Sequence, residues 1–401
     1  MISVLLLVGL AVAVFVGFNI GGSSTGVAFG PAVGSGVVSK LGAAALMAAF
    51  ALLGGWTVGR NVVETMGGDI VPSTLFTLPA SVGVLFFVGL ALLVSNLFGV
   101  PASTSMTAVG AIAGLGVAAG DIAWGVMGQI VSWWLVAPIV AFWVCAVIGR
   151  YLYPYLDVWF RIDQSEGPLF EYGRVASVPV PVPAANTNRR ELVSSILVVV
   201  IGCYMAFSAG ASNVANAVAP LVGSGAIGIN QGILLAAGAI ALGAFTIARR
   251  TLDTVGNDLT DLPLLAALIV EVVSASLITF LSYLGIPASL AVSATMCIIG
   301  LGWGRATRAV RVRDAAAAAV RGEGEEADET AEGESKMSVD ALTAEPDDEV
   351  QRIGEEDPAD LQTKDLFDPA STGRVIMLWI LTPTISAVAS YLLFEFFPLY
   401  R

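Results

Sequence analysis

The sequence predicts an all-α polytopic membrane protein: about ten membrane segments in two inverted five-segment repeats, with broken helices and possible re-entrant hairpins. Three observations predict it. Of the 401 residues, 56% are hydrophobic and only 13% are charged, far from the balance of a water-soluble domain. Apolar runs long enough to cross a hydrocarbon core of roughly 30 Å recur along the chain. The chain also repeats itself, because Pro31 with Val33-Gly34-Ser35-Gly36 returns as Pro220 with Val222-Gly223-Ser224-Gly225, 189 positions later.

The apolar runs lie at residues 1–21, 41–59, 76–98, 100–118, 122–148, 192–210, 232–248, 263–283, 286–304 and 375–394. The first has no basic leading region and continues into the repeat, so it reads as a membrane segment and not as a cleaved signal. The 189-residue offset persists downstream, pairing Arg60 with Arg249, Thr65 with Thr254, Gly67 with Gly256 and Asp69 with Asp258. After a slip of three residues, Pro101-Ala102-Ser103 answers Pro287-Ala288-Ser289, and Gly114 answers Gly300. Later, Trp134 and Pro138 answer Trp379 and Pro383. Copies this long exceed solenoid periods and read as two homologous halves of one membrane fold.

Arginine sets the expected orientation. Arg249 and Arg250 follow one span, Arg305, Arg308, Arg311 and Arg313 follow another, and Arg150, Arg161, Arg174, Arg189 and Arg190 lie between the halves. With these clusters cytoplasmic, each half holds five crossings and both termini lie outside. An odd number of crossings turns the second half over. The domain layout is then a first repeat at 1–150, a cytoplasmic linker at 151–190, and a second repeat at 191–401. Residues 305–374 interrupt that second repeat as an acidic cytoplasmic loop too polar to fold alone. Within the linker, Val178-Pro179-Val180-Pro181-Val182-Pro183 is too rich in proline for a helix or a central strand.

The net charge of −13 belongs mainly to the acidic loop and says little about any ligand. Cys145, Cys203 and Cys297 are widely separated in apolar spans, and the chain has no histidine. Neither a disulfide framework nor a His-based metal or acid/base set is available. No nucleotide-binding motif and no basic nucleic-acid patch is present, so the chain reads as neither an enzyme nor a nucleic-acid partner, and as needing no cofactor. The lipid bilayer is the expected partner, together with a possible second copy of the chain.

Irregular polar backbone at membrane depth is tolerated only where it is buried in protein or lines a cavity, and four polar, Gly-containing stretches recur in matched pairs. Gly17 to Gly26 ends one span and pairs with Ser208 to Asn216, placing Ser23 opposite Ser212, Ser24 opposite Asn213, and Val27 opposite Asn216. Unwinding there would free carbonyls, hydroxyls and amides for a small cation, and helix N-termini for an anion. The second pair, Pro101 to Thr107 and Pro287 to Ser293, opens helices whose first-turn hydroxyls and N–H groups resemble an oxyanion cradle. Small and hydroxyl residues also let membrane helices pack closely, which is the plain alternative for each stretch. Glu271, near the middle of its span, is a candidate proton carrier or cation ligand, since ionisable residues inside membranes tend to mark pathways.

At these motifs the chain resembles the PiT-type inorganic phosphate transporter family, whose members include ion-coupled phosphate symporters and some sulfate permeases. The family pattern Gly-x-Asn-Asp-x-x-Asn maps onto residues 21–27 and 210–216, with Ser24 and Asn213 at the aspartate positions and Asn216 the one motif asparagine retained. The pattern Pro-x-Ser-Thr-Thr-His maps onto 101–106 and more faintly onto 287–292, with Met106 and Val292 replacing histidine. The resemblance implies alternating-access, secondary transport of inorganic phosphate, or of sulfate, across the cell membrane with Na+ or H+ as coupling ion. An uncoupled anion channel or sensor is the alternative from another class. Ser103, Thr104, Ser105 and Ser289, with Asn213 and Asn216, would bind substrate. Ser23, Ser24, Ser212, Asn213 and Glu271 are the coupling-ion candidates.

Overall fold

Serine caps open several of the helices. In the computed structural model, Ser3 accepts from the Leu6 amide and Ser39 from the Gly42 amide, each at the N-terminus of a helix. The structure describes residues 3–97, 103–160, 170–175, 178–183, 189–246, 264–309 and 369–401. In chain order these form α1 (Val4–Gly34), α2 (Lys40–Thr57), α3 (Gly59–Glu64), α4 (Leu78–Leu97), α5 (Thr104–Ala119), α6 (Trp124–Val147) and α7 (Tyr153–Phe160). Strands β1 (Phe170–Val175) and β2 (Val178–Pro183) follow, then α8 (Arg189–Gly223), α9 (Ile229–Thr246), α10 (Leu264–Tyr283), α11 (Leu290–Ala306) and α12 (Pro369–Phe396).

Among the described residues, seven helical runs are long and apolar enough to cross a membrane, and three shorter apolar helices accompany them, Leu78–Val94, Thr104–Ala119 and Leu290–Ala306. Large apolar side chains such as Leu135 and Ile139 on α6, and Ile380 and Ile385 on α12, face outward. A surface of that kind suits lipid and not water, and the chain is a multi-pass membrane protein.

Two expectations change. The helices are not broken at 17–26 or 208–216: α1 runs unbroken through the first stretch and α8 through the second. Hydroxyls there bond their own helix, Ser23 to the carbonyls of Asn19 and Ile20 and Thr25 to that of Gly21, so no ladder carbonyl is released. A π turn (Ile148–Leu152) carries α6 directly into α7. Beside the helices, β1 and β2 form one short hairpin in the segment joining the halves, pairing antiparallel with Phe170 opposite Pro183. In a two-stranded ribbon both strands are edges, which is where proline is accepted. The last helix begins at Pro369, earlier than residue 375. The clusters at Arg249 to Asp258, the segment 310–368 and Pro101 lie outside the described residues.

The two halves pack reciprocally. α1 lies on α9 and α2 on α8, along seams where glycine lets backbones touch. A Cβ at Gly21 would strike the Ile240 carbonyl, and one at Gly210 the Ala51 carbonyl. Each of these contacts is the other shifted by 189 positions. Gly54 on the Phe207 carbonyl and Gly243 on the Phe18 carbonyl repeat the relation. In the same way α5 lies on α12 through Gly114 and Ala387, and α11 lies on α6 through Gly300 and Phe142. The α1–α2 and α8–α9 turns correspond as well, since Gly36 and Gly225 take φ of 74° and 70°, values that glycine adopts without steric cost.

These seams fix the depth at which α5 and α11 begin. The Trp134 indole donates to the Pro287 carbonyl at 2.8 Å, so the loop before α11 meets α6 ten residues past its start, about 15 Å along the helix axis. From there α11 runs beside α6 until Arg150 donates to the Thr307 carbonyl and Arg308 to the Arg150 carbonyl. On the other side α5 runs beside α12, with Gly110 on the Pro383 carbonyl and Ser390 donating to that of Ala111 at 2.6 Å. Tyr400 donates to the Ala118 carbonyl near the end of α5.

Candidate functional site

α5 and α11 start inside the protein, and their first residues face one cavity of about 50 Å³. Its wall takes Thr104 and Ser105 from α5, Ser289, Leu290 and Ala291 from the start of α11, Ser23, Ser24 and Val27 from α1, and Asn213 from α8. A single water needs roughly 10–15 Å³ measured this way, so the space holds several waters or one small polyatomic ion. Three pairs on the wall are repeat counterparts: Ser24 with Asn213, Thr104 with Leu290, and Ser105 with Ala291. The cavity therefore sits where the two halves meet.

Its electrostatics come from backbone and neutral side chains, for no wall residue among those described carries a charge. The ladder of α5 begins with the Thr107 amide bonding the Ser103 carbonyl at 3.0 Å, which leaves the N–H groups of Thr104, Ser105 and Met106 ahead of it. In α11 the Ser289 hydroxyl accepts from the Val292 amide at 3.3 Å, and Ser293 bonds the Ser289 carbonyl, leaving Leu290 and Ala291 ahead. Two helix N-termini, one from each half, thus bring amides that precede their helical ladders and positive dipole ends to one space. Such an arrangement attracts an anion.

Not every candidate reaches the wall. Ser103 is fully buried at the N-cap of α5, and its hydroxyl has no hydrogen-bond partner, but it lies outside the cavity lining. Ser212 is buried, with its hydroxyl on the Ala209 carbonyl at 3.4 Å. Asn216 stands behind the wall, donating at 3.1 Å to both the Ser105 hydroxyl and Asn213 Oδ1. Glu271 lies apart, on the α10 face one turn before Ser274, whose hydroxyl approaches the Met205 sulfur at 4.0 Å. It is 4% exposed, and its Oε1 has no partner. The described residues contain no group of three His, Cys, Asp or Glu that could hold a metal.

Val27, Leu290 and Ala291 line the cavity without having been expected. Repeat pairing carried the signal, since they answer Asn216, Thr104 and Ser105 at the two offsets. Arg60 on α3 reaches back to the end of α2, donating to the Trp56 carbonyl and lying 4.5 Å over the Trp56 ring. A larger cavity of about 230 Å³ is wholly apolar, between Leu152, Leu197 and Leu268, and contains none of the candidate residues.

The model of the phosphate transporter family matches residues 20–321. The sulfate permease of Bacillus subtilis is 30% identical over 72% of this chain and 75% of its own. A protein of Pyrococcus furiosus provisionally named a phosphate permease is 24% identical over 76% of this chain and 88% of its own. Among solved structures, a sodium-dependent phosphate transporter superposes with a TM-score of 0.62 over 98% of this chain and all of that one. At 17% identity that likeness speaks for the fold alone.

Proposed function

This chain belongs to the phosphate transporter family, and from that premise we propose that it is a secondary transporter carrying a tetrahedral inorganic oxyanion, inorganic phosphate in the first instance, across the cell membrane. One observation carries the reading: the N-termini of α5 and α11 meet at a single uncharged, hydroxyl-lined cavity. Thr104, Ser105, Ser289 and Asn213 hold the anion there. Ser23 and Ser24 close the remaining wall and offer hydroxyl oxygens to a coupling ion, while Glu271 is the group suited to a coupling proton. Sulfate is the second reading, favoured by the similarity to a sulfate permease.

The halves insert in opposite directions, with Arg150 and Arg308 at the cytoplasmic face and both termini outside. Reciprocal glycine seams support this reading, as does the running of α5 with α12 and of α11 with α6. The cavity then lies near the bilayer midplane, where alternating access requires it. Reconstituted vesicles given labelled phosphate or sulfate, with and without sodium and proton gradients, test the proposal. Accumulation of one of the two anions under a gradient is expected, and accumulation of neither would overturn it.

A further inference from the structure

The same two groups stand where each cavity helix begins. Trp134 on α6 answers Trp379 on α12, and Ser289 before α11 answers Ser103 before α5. On the α11 side both groups are engaged: the Trp134 indole donates to the Pro287 carbonyl at 2.8 Å, and the Ser289 hydroxyl caps α11 by accepting from the Val292 amide. On the α5 side both are idle. Trp379 and Ser103 are buried, and neither the indole N–H nor the hydroxyl has a hydrogen-bond partner among the described residues. Resting on the reading of this cavity as the oxyanion site of a carrier, we infer that Trp134 and Trp379 are alternating latches, positioning residues of the transport cycle. Each fixes the start of its neighbouring cavity helix when its indole is bonded, and one is bonded while the other is released.

The difference is confined to the helix starts. Further along, the two seams are copies: Gly114 lies against the Ala387 carbonyl and Gly300 against the Phe142 carbonyl, contacts that the repeat relates to each other. Past its first turn α5 is also tied to α12 by the Ser390 hydroxyl, which donates to the Ala111 carbonyl at 2.6 Å. The seat of α5 therefore matches that of α11 except at the turn that faces the cavity. Two buried polar groups without partners are costly, and both stand at the positions whose copies are paired. Each finds its use in a form of the protein where the α5 side takes the geometry now seen at α11.

Where two copies insert in opposite directions, exchanging their local conformations turns a site open to one face of the membrane into a site open to the other. The latches suit that exchange. As the Trp134 bond breaks, the start of α11 is released from α6. As the Trp379 N–H is taken up at the start of α5, that helix start is fixed against α12. One bond replaces another of the same kind, so the two forms lie close in free energy. Ser289 stands two residues after Pro287, and Thr104 one after Ser103, so wall groups of the cavity move with each latch.

The test is exchange of labelled phosphate, or of sulfate where the parent carries that anion, by the full chain in vesicles of one orientation. The half-saturating concentration is measured separately at the inner and the outer face, and each value scales inversely with the fraction of carriers open to that face. Trp134→Phe keeps a ring and loses the bonded N–H, which disfavours the form seen here. Trp379→Phe removes the unpaired N–H, which favours it. The ratio of the two half-saturating concentrations should move by about three- to tenfold in opposite directions in the two variants, and return to within about twofold of the parent in the double variant. Ser103→Ala should move it in the direction of Trp379→Phe, and it stands beside the remaining variant where either tryptophan replacement fails to fold. A common change at both faces, a shift of the ratio in one direction by both tryptophan variants, or an unchanged ratio in Trp379→Phe and Ser103→Ala would make these residues merely structural and overturn the inference. Those results leave anion transport by the parent standing, whereas a parent that exchanges neither phosphate nor sulfate removes the reading of the cavity and the latches with it.

Discussion

Asn216 on α8 and Ser105 in the first turn of α5 are 111 positions apart in sequence, yet a hydrogen bond of 3.1 Å joins them. It is a direct polar link between the halves beside the cavity. Ser105→Ala removes the acceptor from a buried amide and should lower stability by about 1–3 kcal/mol. A thermal melt of the detergent-purified variant measures this, and an unchanged melting temperature would mean that the bond adds nothing.

Thr104→Ala and Asn213→Ala each delete a wall group from a different half. Both should abolish labelled anion uptake while expression and membrane insertion stay intact. Normal uptake by both would move the binding site elsewhere in the protein.

Glu271 is buried in α10 with an unpartnered carboxyl oxygen. Glutamine keeps the shape but neither takes up nor releases a proton. Glu271→Gln should therefore lose accumulation driven by a proton gradient while still exchanging internal for external labelled anion. Gradient-driven accumulation at the unmodified level would leave Glu271 as a packing residue.

Gly54 and Gly243 occupy equivalent places in the α2–α8 and α1–α9 seams. Valine at either should force backbones apart and destabilise by about 1–3 kcal/mol or more, read as loss of monodisperse protein on size exclusion. Gly34 has open space around a built Cβ, so Gly34→Ala should match the parent protein. Tolerance at Gly54 with damage at Gly243 would break the equivalence between the seams.

The sequence made the duplication legible because a repeat preserves contacts as pairs, and Gly21 with Gly210 still occupy equivalent seams. Helix continuity was not legible. Glycine beside serine fits an unwound segment as well as a close helix crossing, and only the carbonyl of Ile240 or Ala51, brought in from the other half, decides for the crossing. At the candidate site, residue types at matched positions pointed to Ser24, Thr104, Ser105, Asn213 and Ser289, all of which share the cavity wall. They could not separate Asn216 from Asn213. Three residues apart on one helix, the two differ by about 60° around its axis, enough to put one on the wall and the other behind it. The extension of α6 into α7 through a π turn falls at the start of residues 151–190, whose polar, proline-containing composition reads as linker.

A wall without fixed charge has an electrical consequence. In the proposed carrier cycle the wall adds no charge to the loaded step, so voltage acts in that step on the bound ions alone. With the interior negative by about 100 mV, each inward negative charge is opposed by about 2.3 kcal/mol, so a dianion faces about 4.6 kcal/mol. Two accompanying monovalent cations only cancel that opposition, and a third is needed before voltage itself pulls the cargo inward.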